Sequence, residues 1–199
     1  MSSLQCTSCG APVEITNRFS KVFVCSYCDT HLRIDGDEGL SESGKYPKLA
    51  EFPSLFEVGM TGTILGKPFT ALGRMQYLCE GARYNEWFLD YEGGSAWLTE
   101  DEGTYTLFTE MYDAVDIPPI DSIRAGQNIE VAGKKIMVKE VGEATVEGGE
   151  GELSYYVEPG TEVIYLDAVG DGKKISIEYS EAEVELFTGR PLLRRDIVV

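Results

Sequence analysis

Histidine is nearly absent from the sequence, and this limits the acid–base chemistry available to the chain. His31 is the single histidine among 199 residues, so most catalytic schemes that depend on imidazole have no candidate pair. The glycine-rich pieces 147–151 and 170–172 lack the spacing of phosphate-binding loops and predict hairpin turns instead. Neither a G-x-S-x-G nor an H-E-x-x-H motif occurs. These absences predict a protein that is not an enzyme.

Basic residues are also scarce. The chain has 17 lysines and arginines against 34 aspartates and glutamates, which gives a formal net charge of −17. Such a field repels phosphate backbones, so we expect no nucleic-acid partner. A partner held by charge would be a basic protein.

Long apolar runs are missing as well. No stretch approaches the roughly 20 residues that a membrane-spanning helix needs, and no basic patch followed by an apolar run opens the sequence. We therefore expect no membrane insertion and a cytoplasmic location. A reducing cytosol would also keep cysteines as thiols that can hold a metal ion.

What the sequence does contain is two C-x-x-C pairs, Cys6/Cys9 and Cys25/Cys28, with 15 residues between them. This spacing predicts a zinc ribbon over residues 1–35, in which four thiolates enclose one structural Zn²⁺ in a closed tetrahedron. Gly10 directly follows the second cysteine, where a tight turn favours a residue that tolerates positive φ.

Other interpretations of these cysteines stay open at this point. Iron could occupy the same four sulfurs, a dithiol pair could act in redox chemistry, and His31 could replace Cys28 as the fourth ligand. A position at the surface or at a strand edge is the simpler expectation for His31. Cys79 lies in an apolar run that predicts a buried strand, and we expect it to be a packing thiol.

The composition changes after the ribbon. Residues 36–52 are rich in glycine, serine and acidic residues, which predicts a flexible linker. Beyond it, β-branched and aromatic residues alternate with glycine-bearing turns, so the fold class is mainly β. The clearest helix candidate is 180–187, where Ser180 and Glu183 resemble a capping box, although its alternating pattern suits a strand equally well.

The β-rich part of the sequence resembles itself at an offset near 67 residues. Gly59, Gly66, Lys67 and Phe69 recur as Gly126, Gly133, Lys134 and Ile136; after a slip of one residue, Trp87-Phe88, Trp97-Leu98 and Leu107 recur as Tyr155-Tyr156, Tyr165-Leu166 and Ile175. An internal duplication explains this pattern. It predicts two tandem small β-barrel-like (SH3-like) modules, 53–120 and 121–199, the second with a basic C-terminal tail that could dock on its own body or support self-association.

Several motifs in this region resemble a known family. They are Val58-Gly-Met-Thr-Gly62, Phe69, Leu72-Gly-Arg74, Asn85-Glu-Trp-Phe-Leu89 and Trp97-Leu-Thr-Glu-Asp-Glu-Gly103. Over residues 55 to about 190 the chain is similar to the bacterial domain of unknown function 4178, whose members often carry an N-terminal zinc ribbon. The resemblance implies a β-rich bacterial cytosolic protein and brings no catalytic residues.

Acidic residues surround the two tryptophans. Glu86, Trp87, Trp97 and Glu100 form a candidate interaction surface, although the tryptophans suit a core position better than an exposed one. The leading hypothesis is a non-enzymatic zinc-binding adaptor that binds another protein. The alternatives are a nucleic-acid-associated ribbon protein, or an enzyme whose acidic, aromatic cleft acts on a cationic or saccharide substrate.

Overall fold

The computed structural model describes residues 4–34, 39–45, 47–110, 117–179 and 184–199. These residues form sixteen β-strands and two short 3₁₀ turns, so the predicted mainly β class is confirmed. Among them, no helix is long and apolar enough to cross a lipid bilayer. Ser180 and Glu183 of the helix candidate lie outside the described residues, and the part that follows them is a strand.

The N-terminal region is built from short strands. They are β1 (Leu4–Gln5), β2 (Pro12–Val13), β3 (Val22–Val24), β4 (Thr30–Ile34) and β5 (Leu40–Lys45). β1 pairs with β2, and β3, β4 and β5 are joined in that order by antiparallel pairing. Residues 40–45 therefore belong to a sheet, although the sequence predicts a flexible linker there.

The first half of the β-body is an antiparallel meander. It contains β6 (Thr61–Ile64), β7 (Lys67–Cys79), β8 (Ala82–Tyr91), β9 (Gly94–Asp101) and β10 (Thr104–Glu110). The second half repeats this arrangement with β11 (Asn128–Val131), β12 (Lys134–Leu153), β13 (Glu162–Gly170), β14 (Lys173–Tyr179) and β15 (Val184–Leu192). The tail ends in β16 (Ile197–Val198), which pairs with β6 and so docks on its own chain.

Two-residue turns explain how these strands follow one another so closely. In six turns a non-glycine residue and the glycine after it both have positive φ: Leu65-Gly66, Glu80-Gly81, Glu92-Gly93, Glu102-Gly103, Ala132-Gly133 and Asp171-Gly172. Positive φ at both central positions defines the type I′ turn, whose twist matches that of antiparallel strands.

The two halves have the same strand register. Gly59 N donates to Ala71 O at 2.8 Å, and Gly126 N donates to Val138 O at 2.9 Å, as the offset of 67 predicts. Later strands correspond at a larger offset: the pair Trp87↔Leu98 matches the pair Leu166↔Ile177. Trp87 therefore corresponds to Leu166 and not to Tyr155, because β12 has 20 residues where β7 has 13 and the connection after β12 is also longer than the one after β7.

The halves join into one ring, which differs from the expectation of two separately closed barrels. β10 pairs with β15, as in Phe108↔Gly189, and β12 pairs with β7, as in Val146↔Tyr77. The resulting order β7-β8-β9-β10-β15-β14-β13-β12 returns to β7 and closes a ring of eight strands. An eight-stranded closed sheet leaves an interior just wide enough for side chains or one small ligand.

Three apolar clusters stabilise this body. They lie on both sides of the ring because successive residues of a strand face opposite sides. Each half has a cluster on the outer side of the ring, around Trp87 and Leu98 in the first half and around Leu166 and Ile177 in the second. The third cluster occupies part of the ring's interior and includes Phe88 together with Val22 and Val24 of the ribbon strand β3. The ribbon is thus packed against the same core that joins the halves.

Candidate functional site

The four predicted metal ligands lie together at one end of the ribbon. Their sulfur atoms are all within 4.8 Å of one another, and the Cys6–Cys28 and Cys9–Cys25 Sγ distances are both 3.7 Å. A disulfide requires about 2.05 Å, and the cysteines are free thiols. Four sulfurs at a Zn–S distance of about 2.3 Å stand roughly 3.8 Å apart in a tetrahedron, so the cluster fits a zinc ion.

Two matching turns position these sulfurs. Gly10 N donates to Cys6 O at 2.8 Å, and Asp29 N donates to Cys25 O at 2.9 Å. Gly10 has φ 75° and Asp29 has φ 55°, so the positive φ expected at Gly10 is present and recurs in the second turn. Hydrogen bonds to Thr30 lower the pKa of the Cys28 thiol to about 6, whereas burial raises the pKa of Cys25, so Cys28 is the thiol whose thiolate is favoured.

A buried glutamate fixes the ribbon to the β-body. Glu152 in β12 is 5% exposed, and its carboxylate accepts hydrogen bonds from Thr16 N, Thr16 Oγ1, Asn17 N and Ser20 Oγ over 2.6 to 3.1 Å. β3 also pairs with β12 through Val24↔Gly151. The ribbon is therefore an integral part of the fold rather than a tethered module.

His31 does not have the surface or strand-edge position expected for it. It lies in β4 between β3 and β5 and is fully buried. Its ring meets that of Tyr156 edge-on, with the centroids 5.3 Å apart. Burial lowers the pKa of His31 to about 4, so the imidazole is neutral near pH 7 and belongs to the packing around the ribbon.

The four residues proposed as an interaction surface lie on two faces of the sheet. Trp87 and Glu100 face the outer cluster of the first half, where they are 1% and 5% exposed. Trp87 Nε1 donates to Glu100 Oε2 at 3.0 Å, and Ser54 and the amide of Leu55 donate to the same carboxylate. These two residues hold the chain before β6 in place, and their burial excludes them from an exposed surface.

Glu86 and Trp97 point the other way, into a cavity of about 450 Å³ inside the ring. The cavity has a clear origin in the two halves. In the first half, Phe88 pairs with Trp97 across β8 and β9, and the rings are 5.1 Å apart. The matching positions across β13 and β14 are Asp167 and Ser176. The second half therefore has two small polar residues where the first half has two aromatic rings, and space opens beside them.

The walls of the cavity combine carboxylates with aromatic rings. Six acidic residues line it, namely Glu80, Glu86, Asp101, Glu140, Asp167 and Glu178, and the single basic residue is Lys174. Lys174 Nζ lies 2.9 Å from Asp167 Oδ2, and Tyr165 donates to Glu140 Oε1 at 2.6 Å. Thr99 donates to Glu86 Oε1 at 3.2 Å. Most of the acidic charge thus has no cation beside it.

The deepest carboxyl groups respond to this environment. Burial raises the pKa of Glu86 to about 7 and Asp167 adds to the shift, while the Thr99 hydrogen bond and Lys174 act in the opposite direction. Burial, followed by repulsion from Glu86, raises the pKa of Glu178 well above its usual range. Both groups line the cavity, so water reaches them although protein surrounds them.

Cys79 lies at the end of β7 and packs against the inner cluster. Its Sγ is 3.4 Å from the hydroxyl of Tyr165.

The sequence does not predict the cavity itself, because Asp167, Lys174 and Glu178 are far from the tryptophans in the chain and join them only when the ring closes. The sequence carries one signal of the cavity: when the later strands of the two halves are aligned at their structural offset, Asp167 and Ser176 match Phe88 and Trp97.

Comparison with known proteins adds a family and nothing more. The family model described as a domain of unknown function, DUF4178, matches residues 57–194. No curated protein and no solved structure matches the chain. The matched range contains both halves of the β-body and leaves out the four cysteines.

Proposed function

The chain belongs to the DUF4178 family, and from the geometry of the ring we propose that it is a non-enzymatic binding protein that holds a small molecule in the ring cavity. The observation that carries this proposal is the cavity of about 450 Å³, closed around by eight strands and lined by aromatic and carboxyl side chains. Small-molecule sites typically occupy roughly 300 to 1,000 Å³ and combine apolar walls with a few polar groups.

The comparison of the halves indicates that the cavity was retained for a function. An aromatic pair can fill the interior of the ring, as Phe88 and Trp97 do in the first half. Asp167 and Ser176 leave the matching place open and put a charge there. An aromatic pair at this place would add packing energy, so a ligand is the economical reason to keep the space. A duplication followed by divergence of the second copy would produce this arrangement.

In this proposal the ribbon is structural. Cys6, Cys9, Cys25 and Cys28 would hold one Zn²⁺, and its coordination would be complete without a water or substrate position. The ion would keep β3 in place, and β3 supplies Val22 and Val24 to the core inside the ring. A cytoplasmic location agrees with five free cysteines, because thiols persist in a reducing compartment.

A ligand screen on two proteins tests the proposal. The double variant Asp167→Phe/Ser176→Trp copies the aromatic pair of the first half into the second and should fill the cavity. We expect wild-type protein to be stabilised thermally by at least one compound in a chemically diverse library, and the filled variant to lose that response. Failure of every compound, or equal stabilisation of both proteins, would rule out a ligand in the cavity.

A partner protein is the second candidate, and the charge of −17 favours a basic one. Within the described residues, β11 pairs with β12 alone, and an unpaired strand edge can accept an added strand. The test is affinity purification from the native host at low and high salt. A partner held by charge should be recovered reproducibly at low salt and released at high salt, and recovery of no reproducible protein counts against this candidate.

A further inference from the structure

The charge inside the cavity is unbalanced. Six acidic side chains line the cavity with one lysine; Glu80, Asp101 and Glu140 are exposed to solvent, whereas Glu86, Asp167 and Glu178 are partly buried. The lysine is already engaged, since Lys174 Nζ lies 2.9 Å from Asp167 Oδ2. Carboxylates removed from bulk water are costly unless a cation or hydrogen-bond donors compensate them. The excess therefore needs an explanation, either protonation or a positively charged occupant.

Glu178 is the clearest case. Its side chain lines the cavity from β14, and the charged groups that act on its carboxyl are all acidic, namely Glu86, Glu185 and Asp167. Glu86 faces it from β8 and accepts a hydrogen bond from Thr99, with Tyr77 as a second donor. The two carboxyl groups interact electrostatically. A donor that carries positive charge would satisfy both.

A metal ion does not fit this arrangement. Among the described residues, the four cysteines are the one group of three or more potential ligand atoms gathered closely enough to share an ion. The cavity carboxylates are more widely spread, whereas Ca²⁺ and Mg²⁺ require six or more oxygens at about 2.0 to 2.6 Å. Aromatic walls, including Trp97 and Tyr155 with centroids 5.3 Å apart, suit an organic cation, because a ring face attracts ammonium groups.

On the premise of the proposed function, we infer that the ligand is a small organic amine whose ammonium group lies between Glu86 and Glu178. An ammonium group has three donors and one positive charge, so it can bridge two carboxylates. A neutral saccharide has no positive charge to offer the two carboxyl groups. The alkyl or aryl part of the amine would contact the aromatic walls. A cation placed between the two glutamates would lower their raised pKa values.

Calorimetric titration with a matched pair of probes tests this inference. Diaminohexane carries two ammonium groups, and hexanediol has the same chain without charge. The variants are Glu178→Gln and Glu86→Gln, which keep the shape of each side chain and cannot ionise. Glu130→Gln is the control, because Glu130 is an exposed residue of β11 away from the cavity and the substitution changes net charge equally.

We expect the diamine to bind wild-type and Glu130→Gln protein alike, the diol not to bind, and each cavity variant to lose at least tenfold in affinity. Equal binding of diol and diamine, or undiminished binding by both cavity variants, would overturn the inference. If neutral compounds bind in the library screen and amines do not, the amine inference fails while the binding function stands. If nothing binds, both fail. Circular dichroism of each variant shows whether a lost affinity reflects unfolding.

Discussion

Glu86→Gln should make the protein more stable, and by an amount that depends on pH. Burial raises the pKa of Glu86 from the ordinary 4.5 to about 7. Below pH 4.5 the carboxyl is protonated in both the folded and the unfolded chain. Between pH 4.5 and about 7 the folded protein keeps a proton that the unfolded chain releases, so the free energy of unfolding falls as pH rises. Glutamine carries no such penalty.

The size of the effect follows from the shift. Each pKa unit corresponds to about 1.36 kcal/mol, and a shift from 4.5 to about 7 gives roughly 3 kcal/mol. Water in the cavity screens part of the charge, so we expect about 2 to 3 kcal/mol. The groups facing Glu86 are Thr99 from β9, Tyr77 from β7, and Asp167, Lys174 and Glu178 from the second half, and they are the same in both proteins.

Urea denaturation of both proteins at pH 4.5, 6, 7 and 8 measures the difference. We expect the free energy of unfolding of the variant, relative to that of wild type, to rise by about 2 to 3 kcal/mol between pH 4.5 and pH 8. This change with pH is the prediction, and the difference between the two proteins at pH 4.5 is its reference point. The control Glu130→Gln should show no such trend, since Glu130 is exposed. If the difference in free energy of unfolding stays constant with pH, or shrinks as pH rises, then burial does not raise the pKa of Glu86.

Three further outcomes are expected. Glu152→Ala should lower the free energy of unfolding in urea by roughly 3 to 5 kcal/mol, because four donors lose one buried carboxylate. The control Glu158→Ala, at an exposed position, should cost under about 0.5 kcal/mol. Chelation of zinc should lower the Tm of the whole protein in calorimetry, by roughly 10 °C if the ribbon contributes about 3 kcal/mol; an unchanged Tm would contradict a structural ion. Trp87→Phe should cost about 1 to 3 kcal/mol, since it leaves Glu100 without its indole donor; a neutral effect would show that Ser54 and Leu55 alone satisfy this carboxylate.

The local features of this fold were predictable from the sequence. The C-x-x-C spacing predicts the cysteine cluster, because both turns are short and their geometry depends on adjacent residues. Alternating patterns predict the mainly β class in the same way. The offset of 67 residues predicts the matching hydrogen bonds of Gly59 and Gly126. In each of these cases the residues that interact are close in the chain or repeat a local pattern.

The closure of the ring was not predictable by the same reasoning. It depends on pairing between β7 and β12 and between β10 and β15, which are distant in sequence. Strand alternation also separates neighbours: Glu86 enters the cavity while Trp87 packs outside it. Grouping these residues with Trp97 and Glu100 by proximity in the chain therefore merged two sites that the sheet keeps apart.

The most direct test of the central claim is a side-chain carboxyl NMR titration of Glu86 and Glu178, with and without diaminohexane. We predict that Glu86 titrates with a pKa of about 7 in the free protein and Glu178 with a raised pKa. Both pKa values should fall when the amine is added, because a nearby cation favours the carboxylate. Ordinary pKa values near 4.5 in the free protein, or no response to the amine, would contradict this prediction.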